Sequence, residues 1–199
     1  MNRFFTVLLP LLALLLLAAP LLLWPLAGMT PAQLPSALGV GTGLGAKLAC
    51  SARYLSGFDA ERVAGDLASY SSLTRILEFT YAEPEGVRAQ LLGAGATVAR
   101  YRPGLGCTLE RGDTAVLDAV SVPSASVPAN LPWPRGSAAG EQREPLQALL
   151  QDIVASDNAA GLDTRALLVV AGGQLLAEAY GPGIDRHTPL LGWSMGKSV

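Results

Sequence analysis

Residues 166–180 read ALLVVAGGQLLAEAY, two apolar runs on either side of a glycine pair. A tight hairpin turn needs positive φ at its centre, which glycine adopts without strain. The stretch therefore predicts a β-hairpin that turns at Gly172 and Gly173. Upstream of it, Pro145 is placed to open a helix, and apolar residues recur over 146–154 at helical spacing. A helix followed by a hairpin favours an α+β layer.

The middle of the chain carries weaker signals. Asp59 is placed as the N-cap of a helix over residues 60–69. Residues 96–109 and 114–122 are rich in valine, threonine, tyrosine and leucine, so they are predicted to form short strands. The proline-rich stretch 123–140 is predicted to be a surface connector between two parts of the chain.

Charge is low and unevenly distributed along the chain. Hydrophobic residues make up 50% of the sequence and charged residues 15%, and the net charge is -2 at pH 7. Such a chain has no basic surface for a phosphate backbone, so nucleic acid is excluded as a predicted partner. Among the charged residues only Arg3 precedes Lys47, so the apolar run from Phe4 to Ala27 carries no charge.

The run from Phe4 to Ala27 is long enough, as a helix, to cross a hydrocarbon core of about 30 Å. It is predicted to be an uncleaved transmembrane anchor, because it is longer than the apolar region of a signal peptide. Arg3 before the run places the N-terminus in the cytoplasm. The expectation is a single-pass membrane protein that contacts membrane lipid and whose body is exported to the periplasmic or extracellular side. A cleaved secretory signal is the second choice.

The two cysteines, Cys50 and Cys107, leave two alternatives open. In an exported body they can form a disulfide. Two buried reduced thiols are an equal alternative, because the distance between them is not visible in the sequence. His187 is the single histidine. One histidine and two distant cysteines supply no cluster of metal ligands, so neither a metal nor a cofactor is predicted.

Ser194 belongs to two motifs in the stretch GWSMGK, residues 192–197. As S-x-x-K it is a serine nucleophile at a helix start, with Lys197 one turn later on the same face. As G-x-S-x-G it is the nucleophile elbow of an α/β-hydrolase, which needs a buried strand before it and a histidine after it. Residues 189–192 make a poor strand, and His187 precedes the serine. The S-x-x-K interpretation is favoured, and an exposed loop histidine is favoured over a pair of Ser194 with His187.

The surrounding sequence carries a family resemblance. Its motifs near Ser194 are LVV at 168–170, AEAYGPG at 177–183 and TPLLGWSMGKSV at 188–199. Its motifs upstream are CS at 50–51, LSG at 55–57, RYRPGLGC at 100–107 and LPWP at 131–134. Together these stretches resemble the β-lactamase-related serine hydrolases, in particular the branch near class C β-lactamases and 6-aminohexanoate-dimer hydrolases.

The resemblance implies a chemistry for two residues. Ser194 would be the acylated nucleophile, and Lys197, as a neutral amine, would help to deprotonate it. The backbone N–H of Ser194 would be half of an oxyanion hole. The implied substrates are small molecules with amide or ester bonds, and no cofactor takes part.

The resemblance also implies a Tyr-x-Asn element and a later Lys/His-Thr/Ser-Gly triplet, which supply the second base, contacts to the substrate carbonyl and the other oxyanion donor. Neither occurs in the sequence; Tyr70 and Tyr180, for example, have no asparagine two residues on. The expectation is therefore an N-terminal fragment of a membrane-anchored serine hydrolase, inactive as these 199 residues. The alternative is a non-enzymatic, membrane-anchored binding or structural protein in which the C-terminal serine is incidental.

The predicted fold class is α+β, with an N-terminal transmembrane helix followed by the truncated start of a β-lactamase/transpeptidase-like fold. The expected segments are a transmembrane signal anchor at 1–28, a flexible Pro/Gly-rich linker at 29–46, an N-terminal extension at 47–122, a Pro-rich connector at 123–140 and the start of the catalytic domain at 141–199. The extension carries both cysteines, and the last segment carries Ser194 and Lys197.

Overall fold

In the computed structural model the described residues are 9–10, 13–14, 30–82, 84–123, 126–136 and 143–197. They form two compact units, one ending at Val120 and the other beginning at Ser121. The first unit combines helices with a four-stranded sheet, and the second combines a helix with a two-stranded sheet. The chain is therefore α+β, as the helix and hairpin predicted.

From residue 30 onward, the first unit contains a long helix followed by a sheet. After a 3₁₀ turn at Pro31–Gln33, its helical elements are α1 (Leu34–Cys50), a π-helical turn (Ser51–Leu55), α2 (Ala60–Tyr70), α3 (Ser72–Arg75) and α4 (Ala115–Asp118). Its strands are β1 (Leu77–Ala82), β2 (Gly86–Leu91), β3 (Ala94–Arg102) and β4 (Gly106–Leu109). Consecutive strands pair antiparallel in the order β1-β2-β3-β4, with Phe79 opposite Ala89 and Ala89 opposite Thr97.

Helix α1 packs on one face of this sheet, and glycine makes its close approach possible. The strand residues on the covered face alternate with outward residues, and Val87, Ala89 and Ala99 are fully buried. A Cβ atom at Gly45 would lie 2.4 Å from Leu77 Cδ1. A larger residue at this position would therefore push the helix or the leucine out of place.

The structure differs from the flexible linker expected at 29–46, because α1 begins at Leu34 and occupies the rest of that segment. Each glycine in a helix costs about 1 kcal/mol relative to alanine, so the alternating glycines of this segment disfavour a helix locally. Burial against the sheet offsets that cost, since most helical stability in proteins comes from packing.

The predicted single-pass membrane anchor is corrected by the structure. In the part of the chain that is described, no helix is long and apolar enough to span a membrane. The longest of these helices is α1 with 17 residues. Its length of about 26 Å is short of a hydrocarbon core of about 30 Å, and one side of it is buried in its own unit. Of the predicted anchor at 1–28, all but residues 9–10 and 13–14 lies outside the described residues.

The opposite face of the sheet carries an ion-pair cluster that holds α4. Arg102 is buried and donates from Nε to Asp118 Oδ1 at 2.7 Å and from Nη1 to Glu110 Oε1 at 2.6 Å. Arg100 also donates to Asp118. The hydrogen bonds from Arg102 lower the pKa of Glu110 and of Asp118. The strand predicted at 114–122 is wrong, because the segment turns into α4 and presents Asp118 to the arginines.

A disulfide joins the end of α1 to β4. Cys50 and Cys107 are bonded, with their Cα atoms 6.0 Å apart, and both residues are buried. The structure thus decides between the two alternatives that the sequence left open. Beside the disulfide, Lys47 Nζ donates to the carbonyl of Cys107 at 2.9 Å. The C-terminal end of α1 is therefore fastened to the sheet by a covalent bond and a hydrogen bond.

The predicted helix with Asp59 as its N-cap is confirmed. Helix α2 begins at Ala60, and the Asp59 side chain accepts a hydrogen bond from the backbone N–H of Arg62 at 2.8 Å. Val63 and Leu67, one helical turn apart, are the buried residues of this helix. Capping and apolar spacing therefore act together in this segment.

Replacing Asp59 by alanine is expected to lower the free energy of unfolding of the first unit by about 1 kcal/mol, because the first turn of α2 loses a side-chain acceptor. Urea unfolding followed by far-ultraviolet circular dichroism measures this loss. Asp59→Asn is the matched control, since asparagine keeps an acceptor and caps a helix about as well as aspartate does. An Asp59→Ala variant as stable as the wild type would contradict the prediction.

The second unit contains the predicted helix and hairpin. Its elements are α5 (Glu144–Ala159), β5 (Ala166–Ala171), β6 (Gln174–Tyr180) and a 3₁₀ turn (Trp193–Lys197). A proline stands in the first turn of α5, as expected. The strands pair antiparallel and turn at Gly172 and Gly173, whose φ angles are 59° and 72°. Both predictions are therefore confirmed.

The core of the second unit lies between α5 and the hairpin. Leu150 and Val154, one helical turn apart on α5, cluster with Ala177 and Ala179, which alternate on β6. The helical and strand periodicities thus place their apolar residues on facing surfaces. This packing holds β6 in place, and the chain runs from its end to the 3₁₀ turn that carries Ser194.

Candidate active site

The two residues of the S-x-x-K motif meet in the 3₁₀ turn. Lys197 Nζ donates a hydrogen bond to Ser194 Oγ at 3.1 Å. In a 3₁₀ helix side chains three residues apart lie above one another, so the motif's spacing brings the amine to the hydroxyl. The turn is closed by a hydrogen bond from the Met195 N–H to the carbonyl of Gly192 at 2.8 Å. The structure therefore places the predicted nucleophile beside the predicted proton acceptor.

The pair lies on an open surface of the second unit. Ser194 and Lys197 are both exposed. Their apolar neighbours Trp193 and Met195 are exposed too, with relative solvent accessibilities of 57% and 71%. A reacting group can therefore approach the hydroxyl, and water can also reach the amine.

The backbone is unusual at the residue that precedes the serine. Trp193 has a φ of 43°, a left-handed conformation that a bulky side chain rarely adopts. Such a conformation costs about 1–3 kcal/mol and persists only where the surrounding structure enforces it. The residue that precedes Ser194 therefore carries backbone strain.

The structure does not bring His187 to the serine. In the described part of the chain no hydrogen bond joins His187 to Ser194. The backbone N–H of His187 instead donates to Asp185 Oδ1 at 2.9 Å, within a tight turn. The strand before the serine, β6, ends at Tyr180, so the strand-to-helix elbow of an α/β-hydrolase is not formed. The favoured motif, S-x-x-K, is thus the one whose residues are in contact.

A buried carboxylate lies at the point where the chain leaves the hairpin. Glu178 of β6 is 8% exposed. Its Oε2 accepts a hydrogen bond from the Tyr180 hydroxyl at 2.6 Å, and its Oε1 accepts one from Arg186 Nη2. Its backbone is also bound, since the side chain of Gln147 accepts from the Glu178 N–H at 3.1 Å and donates to the Glu178 carbonyl at 2.6 Å. Every polar group of this residue is therefore engaged.

Burial and hydrogen bonding shift the ionisation of this cluster. Burial works to raise the pKa of Glu178, but hydrogen bonds from Tyr180 and Arg186 outweigh it and leave the pKa below its ordinary value. Burial, and then the hydrogen bond to Glu178, raises the pKa of Tyr180 to about 12. The hydrogen bond to Glu178 raises the pKa of Arg186. At neutral pH the cluster is an ion pair with a neutral tyrosine.

Arg186 is held in a tight turn between the hairpin and the serine. The Asp185 carboxylate accepts from the Thr188 hydroxyl at 2.8 Å, and the Thr188 N–H donates to the Asp185 carbonyl at 3.1 Å. The hydrogen bond from the Thr188 hydroxyl to the carboxylate, and then the one from the His187 N–H, lower the pKa of Asp185. The turn is thus specified by its own residues, and the Arg186 side chain extends from it to β6.

Sequence inspection missed the cluster around Glu178. The available signal was a charged residue within an apolar strand, since a buried glutamate is rare unless it is paired. Its partners Gln147 and Arg186 could not be found in that way, because neither lies at a fixed spacing from it. Among the described residues no group of three or more histidine, cysteine, aspartate or glutamate side chains could hold a metal ion. Comparison with family models, curated proteins and solved structures finds no match to this chain.

Proposed function

We propose that Ser194 and Lys197 are the nucleophile and the proton acceptor of a serine hydrolase that acts on amide or ester bonds through an acyl-enzyme. The observation that carries the proposal is the 3.1 Å contact between Lys197 Nζ and Ser194 Oγ. The resemblance of the surrounding motifs to β-lactamase-related serine hydrolases supports it. Ser194 is exposed, so a substrate carbonyl can reach the hydroxyl.

Ser194 and Lys197 act in both steps of the proposed reaction, acylation and deacylation. Ser194 Oγ attacks the substrate carbonyl while its proton passes to the neutral amine of Lys197. The tetrahedral intermediate collapses, the bond from carbon to the leaving nitrogen or oxygen breaks, and the leaving group takes that proton. Water then attacks the acyl-enzyme in the same manner, which releases the acid and restores the serine.

The exposed setting of the pair limits what it does by itself. An ammonium cannot accept a proton, and the neutral amine is favoured where water is excluded. The proposal therefore includes a cover over Ser194 and Lys197, together with the second base and the oxyanion donor that the resemblance implies. The motifs for these groups do not occur in the sequence. We accordingly assign turnover to a protein that supplies them and expect none from the 199 residues alone.

Labelling with a fluorophosphonate tests the proposal, because Ser194 Oγ would form a bond to phosphorus, fluoride would leave and the proton would pass to Lys197. The complete product of the gene is labelled beside the 199-residue chain, and peptide mass spectrometry locates the label. We expect Ser194 to be labelled in the complete product. Ser194→Ala should abolish labelling, and Lys197→Met should slow it by about 100-fold, the lower end of a general base's contribution. Ser156→Ala, which removes an exposed hydroxyl on α5, is the control that keeps it.

Labelling that persists in Ser194→Ala, or that maps to another residue, would contradict the proposal. A reading frame that stops after the codon for Val199, with no labelling of Ser194, would favour a non-enzymatic binding or structural protein instead. A reading frame that continues into a Tyr-x-Asn element would support the hydrolase.

A further inference from the structure

Glu178 is the feature of the second unit that the proposed reaction does not use. A charged group taken out of water is costly unless it is paired and hydrogen-bonded. The Glu178 carboxylate meets this condition through Tyr180 of its own strand and Arg186 of the turn after the hairpin, while Gln147 of α5 binds the Glu178 backbone. An apolar residue at this position would keep the backbone bonds to Gln147 but lose the bonds that join the strand to the turn. The arrangement therefore serves to connect these elements.

The side chain of Gln147 fixes the strand end of this connection. Its amide pairs with both backbone groups of Glu178, as a neighbouring β-strand would. One residue pair further along, the Arg143 N–H donates to the Leu176 carbonyl at 3.1 Å, so this edge of β6 is bound at two successive positions. The Glu178 carboxylate thus projects from a backbone that has little freedom to move.

The chain beyond β6 is bound close to the hairpin. The Gly181 N–H donates to the Arg165 carbonyl at 2.8 Å, and the Ile184 N–H donates to the Gly181 carbonyl at 3.1 Å. Ile184 itself is buried. The ion pair between Arg186 and Glu178 then fixes the turn at 185–188 to the same strand.

A short segment separates this turn from the serine. It runs from Pro189, whose φ is restricted, to Trp193, which is held in the left-handed conformation. Because only the five residues 189–193 lie between the turn and Ser194, a displacement of the turn is expected to shift the serine as well. The strained Trp193 also needs a fixed framework, because a mobile one would let it relax.

We infer that the Glu178–Arg186 ion pair is a positioning unit that sets the placement of Ser194 and Lys197 relative to β6. Both residues act through the turn at 185–188, so they are positioning residues and do not touch the reacting atoms. The inference rests on the proposed function for its effect on reactivity. Its structural part, the restraint of residues 189–197, stands without that function.

Removal of the ion pair tests the inference in the complete gene product. Glu178→Gln and Arg186→Met should each lower the second-order rate constant for fluorophosphonate labelling of Ser194 by about 10- to 100-fold, because small misplacements of reacting groups have effects of this size. The double variant should be no slower than the slower single variant, since both changes remove one interaction. Arg186→Lys keeps the charge and should recover part of the rate.

Asp163→Asn is the matched control. It removes an ion pair with Arg165, at 2.8 Å, on the segment that precedes β5. It should leave the labelling rate unchanged. If Asp163→Asn and Glu178→Gln slow labelling equally, the effect is one of general stability and the inference is overturned. Additive losses in the Glu178–Arg186 double variant would overturn it as well.

Hydrogen exchange gives a readout that does not depend on reactivity, and it is measured on the 199-residue chain. In Glu178→Gln and Arg186→Met, amides of residues 190–197 should exchange at least several-fold faster, while amides of α5 keep their wild-type rates. Unchanged exchange at 190–197 would overturn the inference. If the wild-type protein is not labelled at Ser194 but the variants still show this exchange pattern, the proposed function is refuted. The restraint of the segment that carries Ser194 is then retained.

Discussion

Replacing both Cys50 and Cys107 by alanine is expected to lower the free energy of unfolding of the first unit by about 4 kcal/mol. The disulfide joins residues 57 positions apart in the sequence, so the unfolded chain without it gains the freedom of a long open loop. A loss of this size is a large part of the stability of a domain, which is commonly about 5–15 kcal/mol. The expected result is a first unit that is partly unfolded at moderate temperature.

Urea unfolding of the wild type and of the double variant, followed by hydrogen exchange in 34–109, measures this loss. Wild-type chain held in reductant should approach the double variant, since it lacks the same bond. Lys47→Met is the control for the adjacent hydrogen bond, and its loss should be about 1 kcal/mol. Equal stability of wild type and double variant would show that the disulfide does not restrict the unfolded state.

Replacing Gly181 by alanine is expected to destabilise the second unit by about 3 kcal/mol, at the upper end of the usual cost of overpacking. A Cβ atom at this position would lie 2.4 Å from the carbonyl oxygen of Thr164. That carbonyl cannot move away freely, because it accepts a hydrogen bond from Asn158 Nδ2 at 2.9 Å. The strands would have to separate at this point, and the bond from the Gly181 N–H to Arg165 would weaken.

Gly65→Ala is the contrasting control for this prediction. Gly65 lies on the exposed side of α2, and an added Cβ there meets no atom within 4 Å. Alanine should therefore stabilise α2 by about 1 kcal/mol through its higher helix propensity. Hydrogen exchange of β5 and β6 measures the effect of Gly181→Ala, and hydrogen exchange of α2 measures the effect of Gly65→Ala. If the two substitutions change stability in the same direction, steric contact does not explain why residue 181 is glycine.

The hairpin and α5 could be predicted because their signals are local. Gly172 and Gly173 satisfy the turn, and the apolar residues of 146–154 repeat at the spacing of one helix face. Asp59 likewise identified the start of α2 by a bond to a residue three positions on. In each case the residues that decide the element lie within it.

Helix α1 and the strands β1 and β2 could not be predicted in the same way. The glycines of α1 indicate a flexible segment until the sheet that covers them is present. The residues of β1 and β2 gave no strand prediction, and their pairing depends on burial of one face by α1. Residues 114–122 have the composition of a strand, yet they form a helical turn in which Asp118 pairs with the arginines of β3.

The same distinction between local signals and long-range packing applies to the candidate site. The spacing of Ser194 and Lys197 indicated their contact, because residues three apart lie on the same face of a helix. The pairing of Glu178 with Arg186 and Gln147 depends on how a strand, a turn and a helix come together. The sequence also left the state of Cys50 and Cys107 open, since the distance between them depends on how α1 lies on the sheet.

By itself the sequence of this protein determined which residues form the hairpin turn, cap a helix and repeat at helical spacing. It also placed a serine and a lysine three positions apart. The tertiary structure alone decided that a glycine-rich segment is a core helix, that two cysteines are bonded and that a buried glutamate holds the turn before the serine. The physical reason is range. Turn and helix preferences act over a few residues, whereas burial, disulfide bonding and ion pairing depend on distances that exist only after the chain has packed.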